Sequence, residues 1–153
     1  MDKKEIFNRI EYVVACVGAF AQRHQLSNMQ AYAYLRRFTG IDFLLDCYAA
    51  EHTLSIDDAV SYLQIICQRE GGKIFSTHRI MTEDIQFQIK CLAAELAEMF
   101  MAEYGWDIQR ALDELYSSTT FAKLNDSECG LYYQGAVYIF QFLKSEIETG
   151  KVA

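Results

Sequence analysis

The chain has 153 residues, about half of them apolar, with ten Phe, ten Tyr and no proline. That composition excludes disorder and long extended linkers, and it suits helices joined by short turns. The net charge of −7 is uneven: residues 1–75 carry eight basic and nine acidic side chains, and residues 76–153 carry six and twelve. An acidic surface repels phosphate backbones and anionic membranes, so nucleic acid and membrane are not expected partners, and a basic protein is.

Residues 3–23 form the first predicted helix. Ile6, Ile10, Val13, Val17, Phe20 and Ala21 recur at helical spacing. Ser27 or Asn28 can cap a second helix, on which Ala31, Leu35 and Phe38 share a face, and Gly40 is expected to end it. A short third helix carries Ile41, Leu44, Leu45 and Tyr48 on one side. Ser55, with Asp58 three residues on, opens a fourth helix whose stripe is Ile56, Ala59, Val60, Leu63 and Cys67, and Gly71 and Gly72 stop it.

Residues 73–81 read as a linker. Thr82 is expected to cap a fifth helix with Ile85, Ile89, Leu92, Leu96, Met99 and Phe100 inward, ended by Gly105. Asp107 caps a sixth, with Ile108, Ala111, Leu112 and Leu115 inward. Residues 117–132 read as a turn-rich connection with one helical turn near Phe121–Leu124. The last helix spans about 133–148, with Ala136, Ile139, Phe140, Leu143 and Ile147 facing the core. The expected fold is therefore all-α: a compact bundle of about seven helices in two similar halves, residues 1–72 and 82–150, packed together. The matches behind this similarity are Cys16 with Cys91 (offset 75), Ala31 and Leu35 with Ala111 and Leu115 (offset 80), and Ala59, Val60 and Gln64 with Ala136, Val137 and Gln141 (offset 77).

One resemblance stands on an ordered set of residues: the apolar helix through Val14-Ala15-Cys16-Val17, then Ala31-Tyr32 with Leu35, Gly40-Ile41-Asp42-Phe43-Leu44, Tyr48, Glu51-His52-Thr53, and the helix from Asp57 to Gly71. Over about residues 8–72 the chain resembles a bacterial family of small proteins known as domain of unknown function 3791. The second half looks like a diverged copy that lacks the His-Thr pair. The resemblance implies no catalytic residue. Its members are often encoded beside ADP-ribosyltransferase-like toxins, which implies a partner-binding or antitoxin-like role.

The chemistry-bearing residues form no catalytic constellation. His52, beside Glu51, has two readings: a catalytic or switching histidine oriented by Glu51, or a favourable charge at a helix C-terminus. We take the second. Cys16, Cys47 and Cys67 lie on three helices but among apolar neighbours, so neither a metal nor a cofactor is expected. Five cysteines without a Cys-x-x-Cys pair suit reduced thiols of a cytoplasmic protein, with Cys129 alone expected to be exposed. The opening Met-Asp-Lys-Lys-Glu does not read as a signal peptide, and the longest apolar run, Tyr12–Ala21, is too short to span a membrane. A helix-turn-helix around Gly40 would place Asp42 and Asp46, and no Lys or Arg, on its reading helix.

Trp106, Tyr132 and Tyr133 lie in connections and are candidate binding anchors, or else core and staple residues. The leading functional expectation is a non-enzymatic interaction protein whose acidic second half, through residues such as Glu98, Glu103 and Glu114, meets a basic partner. The rivals are a small-molecule binder or enzyme with a pocket between the halves, using His52 and the tyrosines, and a DNA-binding regulator.

Overall fold

The computed structural model describes residues 2–74, 83–126 and 128–150. Most of the expected linker 73–81 and the Thr82 cap lie outside the described residues. The chain divides into two compact units, Met1–Ile80 and Met81–Ala153. The fold is all-α: among the described residues there are nine α-helices, a 3-10 turn and no strand. The surplus over the expected seven consists of short helical pieces in the connections.

In the first unit, α1 (Lys3–His24) buries Ile10, Val13, Cys16, Val17 and Phe20 along its apolar stripe and ends where Gln25 adopts φ 53°. α2 (Asn28–Arg37) starts at a capping box. The Ser27 hydroxyl accepts from Gln30 N at 3.0 Å, and the Gln30 side chain accepts from Ser27 N at 2.9 Å. α3 (Gly40–Asp46) and α4 (Tyr48–Glu51) follow with a break at Cys47. α5 (Ile56–Arg69) is capped by Ser55, which accepts from Asp58 N and donates to the Asp58 carboxylate at 2.7 Å. Arg23 at the end of α1 bonds to Asp57 and Ser61 on α5. Ala31, Leu35, Ile41, Leu44, Ala59 and Leu63 complete the core.

Gly40 differs from expectation. It opens α3, and the left-handed residue is Thr39 at φ 62°. A Cβ on Gly40 would lie 2.9 Å from Leu35 Cδ2 and 3.3 Å from Cys67 Sγ. Glycine is here for close approach of α3 to α5 and not for its freedom in φ.

In the second unit, α6 (Glu83–Tyr104) ends at Gly105, φ 65°. α7 (Ile108–Ser117) is capped by Asp107, which accepts from Arg110 N at 2.8 Å. α8 (Thr119–Leu124), the 3-10 turn Leu131–Tyr133 and α9 (Ala136–Thr149) complete it. α9 starts three residues later than expected because Gln134 and Gly135 are extended, at ψ 153° and 154°. Ile89, Leu96, Phe100, Leu112, Leu115, Phe121, Leu124, Phe140 and Leu143 form the core.

The units run in one register. α1, α2 and α5 recur as α6, α7 and α9 with both boundaries moved by 80 residues. Buried Val13, Cys16, Val17 and Phe20 recur as Ala93, Leu96, Ala97 and Phe100, and buried Ala59, Val60 and Leu63 recur as Ile139, Phe140 and Leu143. Arg23 and its counterpart Glu103 each pair across to the last helix of their unit, but with partners at different positions: Arg23 with Asp57, and Glu103 with Lys144 at 2.5 Å. The offsets of 75 and 77 are therefore corrected to a constant 80, and Cys16 corresponds to Leu96, not Cys91.

Cys91 accordingly lies on the exposed face of α6, and Cys129 is exposed as well, while Cys16 and Cys67 are buried. Burial pushes the Cys16 thiol up to about 12 and Cys67 to about 11. Cys16→Ser places a hydroxyl in this apolar setting and should lower stability by about 1–3 kcal/mol. Cys91→Ser should lie within about 0.5 kcal/mol of wild type. Denaturant unfolding of the two variants checks this; equal losses would contradict the assigned helix phase.

Candidate functional site

Two places gather the residues expected to carry function. The first lies where α4 meets α1. Tyr12 and Cys16 occupy successive turns of α1, and Tyr48, Glu51 and His52 sit on or just after α4. His52 is exposed at the C-terminus of α4. Its Nδ1 is 2.5 Å from the Tyr48 carbonyl oxygen, so it carries the proton of that hydrogen bond, and its ring stacks on Tyr48 at 4.6 Å. The Arg9 guanidinium lies 4.9 Å from the Tyr48 ring centre, and Tyr12 meets Tyr48 edge-on at 5.5 Å. Glu51 does not bond to His52, so it does not orient the imidazole as a catalytic pair requires.

Beneath these rings lie buried polar groups. Tyr12 is 8% exposed. Its hydroxyl faces the Cys16 thiol one turn on and makes no hydrogen bond to an oxygen or nitrogen, and Glu51 Oε2 is also buried without a partner among the described residues. Burial first, then the Cys16 and Glu51 neighbours, push the Tyr12 hydroxyl well above the usual phenol range. Eighty residues on, the second unit has Ile89, Leu92, Leu96 and Leu131 where the first has Arg9, Tyr12, Cys16 and Glu51. The second unit thus forms its corresponding helices with aliphatic residues at these positions.

The second place is the surface of the second unit. Residues 1–80 carry nine acidic and nine basic side chains; residues 81–153 carry twelve and five. The whole net charge of −7 thus belongs to the second unit. Of the three acidic residues singled out, Glu103 is exposed and pairs with Lys144, while Glu98 and Glu114 are half-buried. Asp84, Glu95, Asp126, Glu128 and Glu148 are exposed.

Among the aromatic candidates, Trp106 is half-buried. It stacks on Tyr104 at 4.6 Å, packs on Phe100 at 5.4 Å, and is covered by Arg110 at 4.7 Å. Tyr132 is buried and Tyr133 is 70% exposed, their rings 4.5 Å apart. Sequence reasoning did not single out Val137 and Tyr138, 68% and 52% exposed at the start of α9. The available signal was that a helix with Ile139, Phe140 and Leu143 inward must turn residues 137 and 138 outward.

Among the described residues no three of His, Cys, Asp and Glu converge as a cation site. No described helix is long and apolar enough to cross a membrane. Residues 11–70 match the model of a family described as "Protein of unknown function (DUF3791)", a stretch running from within α1 to the end of α5. No curated protein and no solved structure matches the chain at a significant level.

Proposed function

With its first half a member of this family of unknown function, we propose that the protein is a non-enzymatic interaction module whose acidic second unit binds a basic protein partner. The carrying observation is the segregation of charge: a neutral unit and a −7 unit built on the same helical plan. Identical scaffolds need no such asymmetry to fold, and an acidic surface raises encounter rates with cationic surfaces. The resemblance of the first half to this family, which implies neighbouring toxin genes, makes an antitoxin-like or accessory role in a bacterial cytoplasm the specific form of this reading. The register of 80 supports reading the second unit as a diverged second copy of the family domain.

The test is kinetic. A partner that co-purifies with the protein should associate about tenfold or more slowly as salt is raised through the physiological range, where the field is screened over about 8 Å, while dissociation changes little. Asp84→Lys with Glu95→Lys, both at exposed positions, should slow association to a similar degree and leave the fold intact. Association that ignores both salt and the double reversal would sink the proposal.

A second reading, a small-molecule binder, is favoured by one observation: the buried Tyr12 hydroxyl and Glu51 carboxylate sit where the second unit is aliphatic. It requires Glu51→Leu to abolish binding of a ligand while leaving stability unchanged or improved.

A further inference from the structure

We infer that the outward face of α9, opened by Tyr133, Val137 and Tyr138, is the docking surface of the second unit, and that its occupant is an amphipathic segment of a partner with apolar side chains on one face and Lys or Arg on its flanks. This rests on the reading of the second unit as the binder of a basic partner and adds where, and by what chemistry, the partner is held.

Val137, Gln141, Lys144 and Glu148 lie on one side of the helix, at steps of three and four residues, with Tyr138 and Phe142 beside them; Lys144 is paired with Glu103. Tyr138 and Phe142 brace each other edge to face at 5.0 Å. Val137, Tyr138 and Phe142 thus give the first two turns an apolar and aromatic character beside the polar Gln141, while acidic residues precede the helix in the chain and stand near its end. Asp126 and Glu128 are exposed in the connection before Tyr133, and Glu148 is exposed near the end of α9. Scattered exposed apolar residues are ordinary; Tyr133, Val137 and Tyr138, exposed within one short stretch of chain with acidic residues before and after it, have the composition of a recognition surface.

The first unit supplies the internal control. At the positions 80 residues earlier it has Thr53, Asp57 and Asp58. Asp57 is paired with Arg23, and Asp58 is bonded to Ser55. The same helix therefore forms in the first unit with polar residues at these places. Charge selects among occupants. A second copy of the chain would bring another −7 unit against the same face, and nucleic acid would bring phosphates. A cationic amphipathic segment satisfies both the apolar face and its acidic border.

The experiment uses the full chain and two synthetic peptides of the same Lys and Leu composition. One is ordered so that a helix segregates the leucines on one face; the other is scrambled so that it cannot. The ordered peptide should bind about tenfold or more tightly than the scrambled one. Tyr133→Thr, Val137→Ser and Tyr138→Ser together should erase that preference with only a small fall in the thermal midpoint, from the lost ring contacts to Tyr132 and Phe142, whereas Asp84→Lys with Glu95→Lys should weaken both peptides alike. Equal binding of the two peptides, sensitive only to the charge reversal, would overturn the docking surface while leaving the acidic-partner reading standing. Binding of neither peptide would remove both. A large fall in thermal stability in the triple variant would mean that the protein's own chain occupies the face. Loss of a concentration-dependent dimer in that variant would mean that a second copy does. Either result overturns the inference.

Discussion

Replacing Phe100 with alanine should cost about 3–5 kcal/mol of stability. Phe100 is fully buried on α6 and sits at the hub of the second unit's aromatic cluster, with ring centres of Phe140, Trp106 and Tyr104 at 5.2, 5.4 and 6.1 Å. The Phe140 contact joins α6 to α9, and the Trp106 contact fixes the turn into α7. Truncation removes the transfer energy of the ring and leaves a void that neighbouring rings fill only in part. Trp106 is the one tryptophan in the chain, so its fluorescence follows the unfolding of this cluster directly. A loss below about 1 kcal/mol would mean that the cluster repacks freely and that Phe100 does not organise it.

Removing Glu146 should come next in size. Its carboxylate accepts from Thr119 N at 2.5 Å, Thr120 N at 2.9 Å and the Thr120 hydroxyl at 2.7 Å, and so closes the first turn of α8 from α9. Thr120 is buried, so Glu146→Ala strands donors that water cannot easily reach, a loss of about 2–4 kcal/mol. Glu146→Gln keeps the shape and loses the charge, and it should cost less. Burial alone would raise the Glu146 carboxyl, but the bonds from Thr119 and Thr120 outweigh it and hold the group below the ordinary carboxylate range. The linkage therefore runs one way. Glu146 contributes its full stability above the ordinary carboxylate value, and that contribution is lost as pH falls through the lowered folded value. Wild type should be more stable than Glu146→Gln at neutral pH, and the gap between the two should close in acid as the carboxylate is protonated. A gap that persists unchanged into acid would contradict the role of the charge.

Local signals in the sequence sufficed wherever a helix was started by its own neighbours. Ser27 with Gln30, Ser55 with Asp58, and Asp107 ahead of Arg110 each act within three residues, and each is observed as a cap. What escaped was set by contacts distant in the chain. Glu146 caps a helix 26 and 27 residues away, and no short window contains both partners. Gly40 reads as a helix stop until Leu35 and Cys67 are seen to crowd it. Cys91 was misjudged because α6 is apolar well beyond one stripe, with Leu92, Ala93, Ala94, Leu96 and Ala97 all buried. Such a wide stripe leaves the helix phase undetermined by periodicity. The α9 surface was legible only by elimination, as the apolar residues left over after the core had taken its share.

The common register of the two units has a practical corollary for engineering. α5 and α9 begin and end 80 residues apart and point matching positions inward, so their outward positions correspond one to one. The buried half of each differs mainly in bulk, Ala59 against Ile139 and Val60 against Phe140, so an exchange should be confined to outward positions. Grafting valine and tyrosine onto positions 57 and 58 would give the electrically neutral unit the apolar face of its acidic neighbour. With Val137 and Tyr138 made serine in the same molecule, the apolar face and the acidic charge, which the natural chain combines in a single unit, would reside in separate halves, where the share of each in any binding event can be weighed independently.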